Sequence, residues 1–177
     1  MTNILSATPE GGFDLGHGMM MPDAAILRDG RVAADSFWSV AQHAAERDAI
    51  YRRCWLYMVR AEDLPEPGDY VVRDVEICGV SVLIVRGKDD VLRAFHNVCR
   101  HRGMSVADGP CGKAEAFRCP YHSWTFRLDG SLKAIPNQRC FPSLDADDLG
   151  LVPIEIDVFA GFVFINLDPQ PAFSLRA

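Results

Sequence analysis

Two short segments constrain this chain more than any others: Cys99-Arg100-His101-Arg102-Gly103-Met104 and Cys119-Pro120-Tyr121-His122-Ser123-Trp124. Each offers one thiol and one imidazole, as C-x-H and then C-x-x-H, with 17 residues between His101 and Cys119. Thiolate and imidazole are the usual ligands of zinc and of iron–sulfur centres, so four of them on two turns make a metal site on spacing alone. Two thiolates and two imidazoles suit a tetrahedral zinc. They also suit a two-iron cluster with both cysteines on one iron and both histidines on the other. Zinc modules usually place like ligands in pairs, whereas each segment here mixes one of each. The chemistry tilts toward the cluster and leaves zinc open.

The other four cysteines are Cys54, Cys78, Cys111 and Cys140. No basic start followed by an apolar run opens the chain, so no secretion signal is expected and the reducing cytoplasm is the expected location. These cysteines then read as small hydrophobes or surface thiols. A Cys111–Cys140 disulfide fits the count but lacks an oxidising compartment. No run of 18 apolar residues exists, which argues against a membrane-spanning helix. The net charge of -6 argues against a general grip on nucleic acid. A length of 177 residues suits one compact module with a core of its own.

Residues 1–35 show weak periodicity, with Gly11, Gly12, Gly16 and Gly18 and a Met19-Met20-Met21 run, and read as a lead-in. Residues 36–60 form the next segment, with a helix expected over 36 to about 55. Ser36 is a plausible N-cap, and Phe37, Val40, Ala41, Ala44, Tyr51, Cys54 and Trp55 fall on one stripe. Pro65, Pro67 and Gly68 break the pattern, and residues 61–177 make the main domain. There the period becomes that of strands, expected at 70–77, 80–86, 91–97, 116–119, 124–128, 131–134, 151–158 and 162–166. Gly87-Lys88-Asp89-Asp90 is a hairpin turn. Asp129-Gly130 predicts a two-residue turn with φ above zero at both positions. Strands succeed one another without intervening helices, so the class is mainly β with antiparallel sheets.

The two ligand segments, with their flanks, resemble the Rieske 2Fe–2S domain at the N-terminal end of ring-hydroxylating oxygenase alpha (large) subunits. Trp55, Leu64-Pro65, Pro67-Gly68-Asp69-Tyr70, Phe95-His96-Asn97, Asp129-Gly130 and Gly161-Phe162-Val163-Phe164 carry the likeness beyond the loops, over roughly residues 44 to 168. The resemblance implies a Rieske fold of antiparallel sheets with two cluster-binding loops, preceded by one helix. It implies a 2Fe–2S cluster with Cys99 and Cys119 on one iron, and His101 and His122 on the other. Histidine ligation raises the potential above that of an all-cysteine cluster. Respiratory Rieske proteins add a disulfide between the loops, at positions that are Met104 and Tyr121 here. They also place a serine hydroxyl near the cluster sulfur, where this chain has Trp124. Fewer hydrogen bonds to sulfur lower the potential, so a value at the low end of the Rieske range, about -150 mV or somewhat above, is expected. Many relatives have glycine where Ser123 stands, and serine is costly there if φ is positive.

The resemblance also implies a role as oxidoreductase component: one-electron transfer from a ferredoxin or flavin reductase toward a mononuclear iron, serving oxygen-dependent hydroxylation of an aromatic or similar apolar substrate. That iron needs a two-His, one-carboxylate set. His17, His43 and His96 are not closely paired, and Ala177 follows soon after the domain should close. The chain is therefore expected to move electrons and not to hydroxylate by itself. No glycine-rich dinucleotide fingerprint follows a strand, so it is not its own reductase. The apolar stripe from Phe37 to Trp55 is expected to dock on a catalytic domain or on another protomer, and an oligomer fits that picture. A ferredoxin-type carrier and a zinc-bound interaction module are the alternatives.

Overall fold

The computed structural model describes residues 27–28, 31–32, 37–136 and 147–176. They fall into two units, Met1–Glu46 and Arg47–Ala177. The first holds a two-stranded antiparallel hairpin, β1 (Leu27–Arg28) with β2 (Arg31–Val32), and one helix, α1 (Val40–Glu46). The expected N-cap, Ser36, lies outside the described residues. Ser39 caps α1, because its Oγ accepts a hydrogen bond from Gln42 N at 3.2 Å. The stripe read as one helix is broken: α1 ends at Glu46, Arg47–Tyr51 form a π-helical turn, and Tyr51 and Trp55 are not on α1.

The second unit contains a seven-stranded antiparallel sheet of β3 (Leu56–Arg60), β4 (Asp69–Val75), β5 (Val80–Arg86), β6 (Leu92–His96), β7 (Cys111–Lys113), β11 (Pro153–Phe159) and β12 (Phe162–Asn166). Their order is β3-β12-β11-β6-β5-β4-β7. A smaller sheet has the order β10-β9-β8, from β8 (Phe117–Arg118), β9 (Thr125–Phe126) and β10 (Leu132–Ala134). All pairings are antiparallel, as the succession of strands predicts.

Strand β5 explains why the large sheet sits at the centre. Val82 and Ile84 point to one face and Leu83 and Val85 to the other, and all four are fully buried. The first face packs with Val59, Leu64, Val71, Ala94, Ile154, Val163 and Ile165. On the other face, Leu83, Val85 and Phe95 meet Phe117, Phe126 and Leu132 of the small sheet, together with Cys99, Cys119 and Trp124. The second core thus welds the two sheets and carries both Cys99 and Cys119. His96 shares its side of β6 with Ala94, while Phe95 faces the cysteines. That alternation turns His96 away from Cys99 and Cys119.

The Asp129-Gly130 turn differs from expectation. Only Gly130 has positive φ, at 84°; Asp129 does not. Gly130 N donates to Arg127 O at 3.0 Å, and Arg127 N to Ser131 O at 2.8 Å, giving a longer loop that closes on a left-handed glycine. Asp129 Oδ1 accepts from both Ser131 N (2.9 Å) and Ser131 Oγ (2.6 Å), which favours this geometry over the two-residue turn.

Candidate metal centre

Loop one leaves the end of β6, and loop two connects β8 to β9. They belong to different sheets, yet they have the same backbone frame. Cys99 N donates to Met104 O at 2.7 Å, and Gly103 N to Cys99 O at 3.0 Å. Cys119 N donates to Trp124 O at 2.8 Å, and Ser123 N to Cys119 O at 2.9 Å. In each loop the fourth residue after cysteine is left-handed, Gly103 with φ 73° and Ser123 with φ 60°. Ser123 thus holds, as a non-glycine residue, the left-handed conformation in which serine is costly. Its Oγ accepts from Arg118 Nη2 at 2.9 Å, which helps retain it.

Loop one is pinned from behind by Asn97, which is only 2% exposed. Its Oδ1 accepts from Val106 N (3.1 Å) and Ala107 N (3.0 Å), and its Nδ2 donates to Ala107 O (3.1 Å). Sequence reading gave Asn97 no role. The available signal was an amide at the end of an apolar strand, immediately before a ligand loop.

The four expected ligands come together as two pairs. Cys99 and Cys119 are buried, at 2% and 1% exposure. Burial pushes the Cys99 thiol up, and the adjoining Cys119 thiol adds to this; the backbone N–H groups of His101 and Arg102 pull it down. Two thiolates placed here need a cation beside them. His101 and His122 meet edge to face, with ring centroids 4.6 Å apart. Their Nδ1 atoms are both buried, and His122 Nδ1 has no hydrogen-bond partner. A buried imidazole nitrogen without a donor or acceptor fits a metal ligand. Burial, then the His122 and Arg102 charges, hold His101 below the ordinary imidazole value, which favours the neutral form that metals bind. Among the described residues, no three His, Cys, Asp or Glu side chains gather around a point suited to a single metal ion. Separate thiol and imidazole pairs suit two irons better than a tetrahedral zinc.

Two aromatic rings flank the imidazoles. Trp124 stacks on His101, and Tyr121 lies against His122. Met104 and Tyr121 are both exposed. Cys54, Cys78 and Cys111 are free, with Cys78 in the core and Cys111 exposed. Cys140 and His17 lie outside the described residues. No helix among the described residues is long and apolar enough to cross a membrane.

The family model for the Rieske [2Fe-2S] domain matches residues 54–148. The match implies a Rieske-type 2Fe–2S cluster. The carnitine monooxygenase oxygenase subunit of Acinetobacter pittii (strain PHEA-2) is 42% identical over 123 residues, covering 70% of this chain and 33% of that protein. The biphenyl 2,3-dioxygenase subunit alpha of Rhodococcus jostii (strain RHA1) is 32% identical over 142 residues, covering 80% of this chain and 30% of that protein. A solved quaternary ammonium Rieske monooxygenase, whose structure is described as informing carnitine oxidation by gut microbiota and inter-subunit electron transfer, superposes with a TM-score of 0.74. It is 40% identical, over 78% of this chain and 38% of that one. The chain therefore spans about a third of the length of these relatives.

Proposed function

This chain belongs to the Rieske [2Fe-2S] domain family, and from that premise we propose that it transfers single electrons as the Rieske portion of an oxygenase alpha subunit. Cys99 and Cys119 would hold one iron of the cluster, and His101 and His122 the other. The observation that carries this assignment is the pairing at the loop tips, buried thiols on one side and His122 Nδ1 without a hydrogen bond on the other. The bound cluster takes up and releases one electron at a time. The protein's own part is to exclude water around the sulfurs, to direct the His101 and Arg102 N–H groups at Cys99, and to favour the neutral form of His101.

Electrons reach the cluster from a ferredoxin or flavin reductase and pass to a mononuclear iron of an oxygenase domain or subunit. Inter-subunit electron transfer in the quaternary ammonium relative supports an oligomeric setting. The aromatic substrate expected at first is narrower than the relatives support, since carnitine monooxygenase subunits stand among them at higher identity than biphenyl dioxygenase. Oxidation of a quaternary ammonium substrate by the complete enzyme is the reading this favours. Residues 1–35 serve as lead-in, 36–60 as docking segment and 61–177 as the cluster domain, with β3 joining the docking segment to the sheet. The cytoplasm, where thiols such as Cys54, Cys78 and Cys111 stay reduced, is the proposed location.

Anaerobic coulometric titration of the iron-loaded chain tests this role. One electron taken up and released per chain is expected. An iron-loaded chain that takes up none would refute it.

A further inference from the structure

The two ligand loops share a backbone frame but not an environment. In each, the residue five places after cysteine returns its carbonyl to the cysteine N–H. The side chains at that place do opposite things. Met104 is 45% exposed, whereas Trp124 is 3% exposed. The Trp124 indole lies parallel to the His101 imidazole of the other loop, with 3° between the planes and 4.9 Å between centroids. The edge-to-face contact with His122 bounds the His101 ring again. His122 has its own ring neighbour, Tyr121, at 3.8 Å and 33°, but that ring is 58% exposed and so is not held by the core.

We infer that Trp124 is a positioning residue for His101: the buried indole of the second loop fixes the ring plane of the first loop's imidazole, leaving His122 the more adjustable of the two. The inference rests on the ligand assignment proposed above. Trp124 can act as a fixed wall because it is packed in the core that contains Cys99, Cys119, Val106 and Phe126, while its carbonyl holds Cys119 N. Rotation of the imidazole about its bond to Cβ would drive a ring edge into the indole face. Met104, unbranched and exposed, offers His122 no equivalent wall. Residues behind a metal ligand commonly set its orientation, and here that residue comes from the opposite loop.

Two variants of the iron-loaded full chain test this, Trp124→Leu, which removes the stacking face, and Trp124→Phe, which keeps one. Pulsed electron paramagnetic resonance reads the couplings of the two ligand nitrogens, and the half-life of the visible absorption under a chelator reads cluster retention. Trp124→Leu should shift one histidine's coupling, leave the other in place and shorten the half-life several-fold, with Trp124→Phe restoring both. Unchanged couplings in Trp124→Leu would overturn the inference. So would both couplings shifting together in both variants, as general loop collapse would produce. The iron-free chain separates this inference from the ligand assignment. There the indole ring current should displace the His101 ring protons in the nuclear magnetic resonance spectrum, and Trp124→Leu should return them. A wild-type chain that binds no cluster but shows this displacement sinks the assignment and supports the stack; a chain without the displacement sinks the stack.

Discussion

Replacing Asn97 with alanine tests how loop one is held in place. The amide makes three hydrogen bonds to buried backbone, from Val106 N and Ala107 N and to Ala107 O, all at 3.0–3.1 Å. Alanine would orphan all three groups. Each orphaned buried group costs about 1–3 kcal/mol. The lower figure is the better one here, because the removed side chain leaves room for water, so the loss is about 3 kcal/mol. With a urea slope of about 2 kcal/mol/M, the unfolding midpoint of the iron-loaded chain should fall by about 1.5 M. Asn166→Ala is the control. It too removes a buried amide (Nδ2 to Arg53 O at 3.0 Å, Oδ1 from Asp168 N at 2.9 Å), but at the end of β12 rather than behind a ligand loop. It should cost about 2 kcal/mol and leave cluster retention unchanged, whereas Asn97→Ala should also hasten cluster loss. A midpoint for Asn97→Ala within about 0.3 M of wild type, with normal cluster retention, would refute the claim that this amide holds the loop.

His122→Ala should abolish the Rieske absorption and resonance spectra, while His96→Ala, on the opposite side of β6, should preserve both; the reverse result would overturn the ligand assignment. Gly130→Ala should destabilise the chain by about 2–4 kcal/mol in thermal or urea unfolding, because the new Cβ would clash with the Phe95 ring in a backbone of φ 84°. His96 is held below the ordinary imidazole value by burial and then by Arg52. The native state therefore binds fewer protons than the unfolded one, and stability should fall as pH drops below about 6.5, levelling off under the folded value. His96→Gln should flatten that slope between pH 7 and 5, and an unchanged slope would count against it. A redox titration should place the midpoint near the low end of the Rieske range, about -150 mV; a clearly positive midpoint would contradict the effect assigned to Trp124 in place of a serine hydroxyl.

How much of this was legible in the sequence depended on how strongly each residue declares its environment. Val80–Arg86 declared a strand through a continuous run of branched apolar residues buried on both faces. Leu56–Arg60 did not, because its apolar residues continue the stripe that begins near Phe37, and short apolar runs fit either period. Strand β7 is Cys111-Gly112-Lys113, an exposed strand that among the described residues pairs with β4 alone, so it has no hydrophobic signature. Its pairing depends on backbone hydrogen bonds that sequence does not display. The left-handed Ser123 could be anticipated from the glycine common at that place. The shared frame of the two loops could not, since it lies in carbonyls of Met104 and Trp124. The four candidate ligands could be read from their spacing, whereas the amide of Asn97 and the stack of Trp124 on His101 needed coordinates. Both act across segments that only the fold brings together.

The central claim is that these two loops hold a Rieske 2Fe–2S cluster. Electron paramagnetic resonance of the anaerobically purified, dithionite-reduced chain tests it most directly, with iron and acid-labile sulfide assayed on the same sample. A Rieske-type rhombic signal with two irons and two sulfides per chain is the predicted result. A colourless, silent sample containing zinc, which stays silent after reconstitution with iron and sulfide, would contradict it.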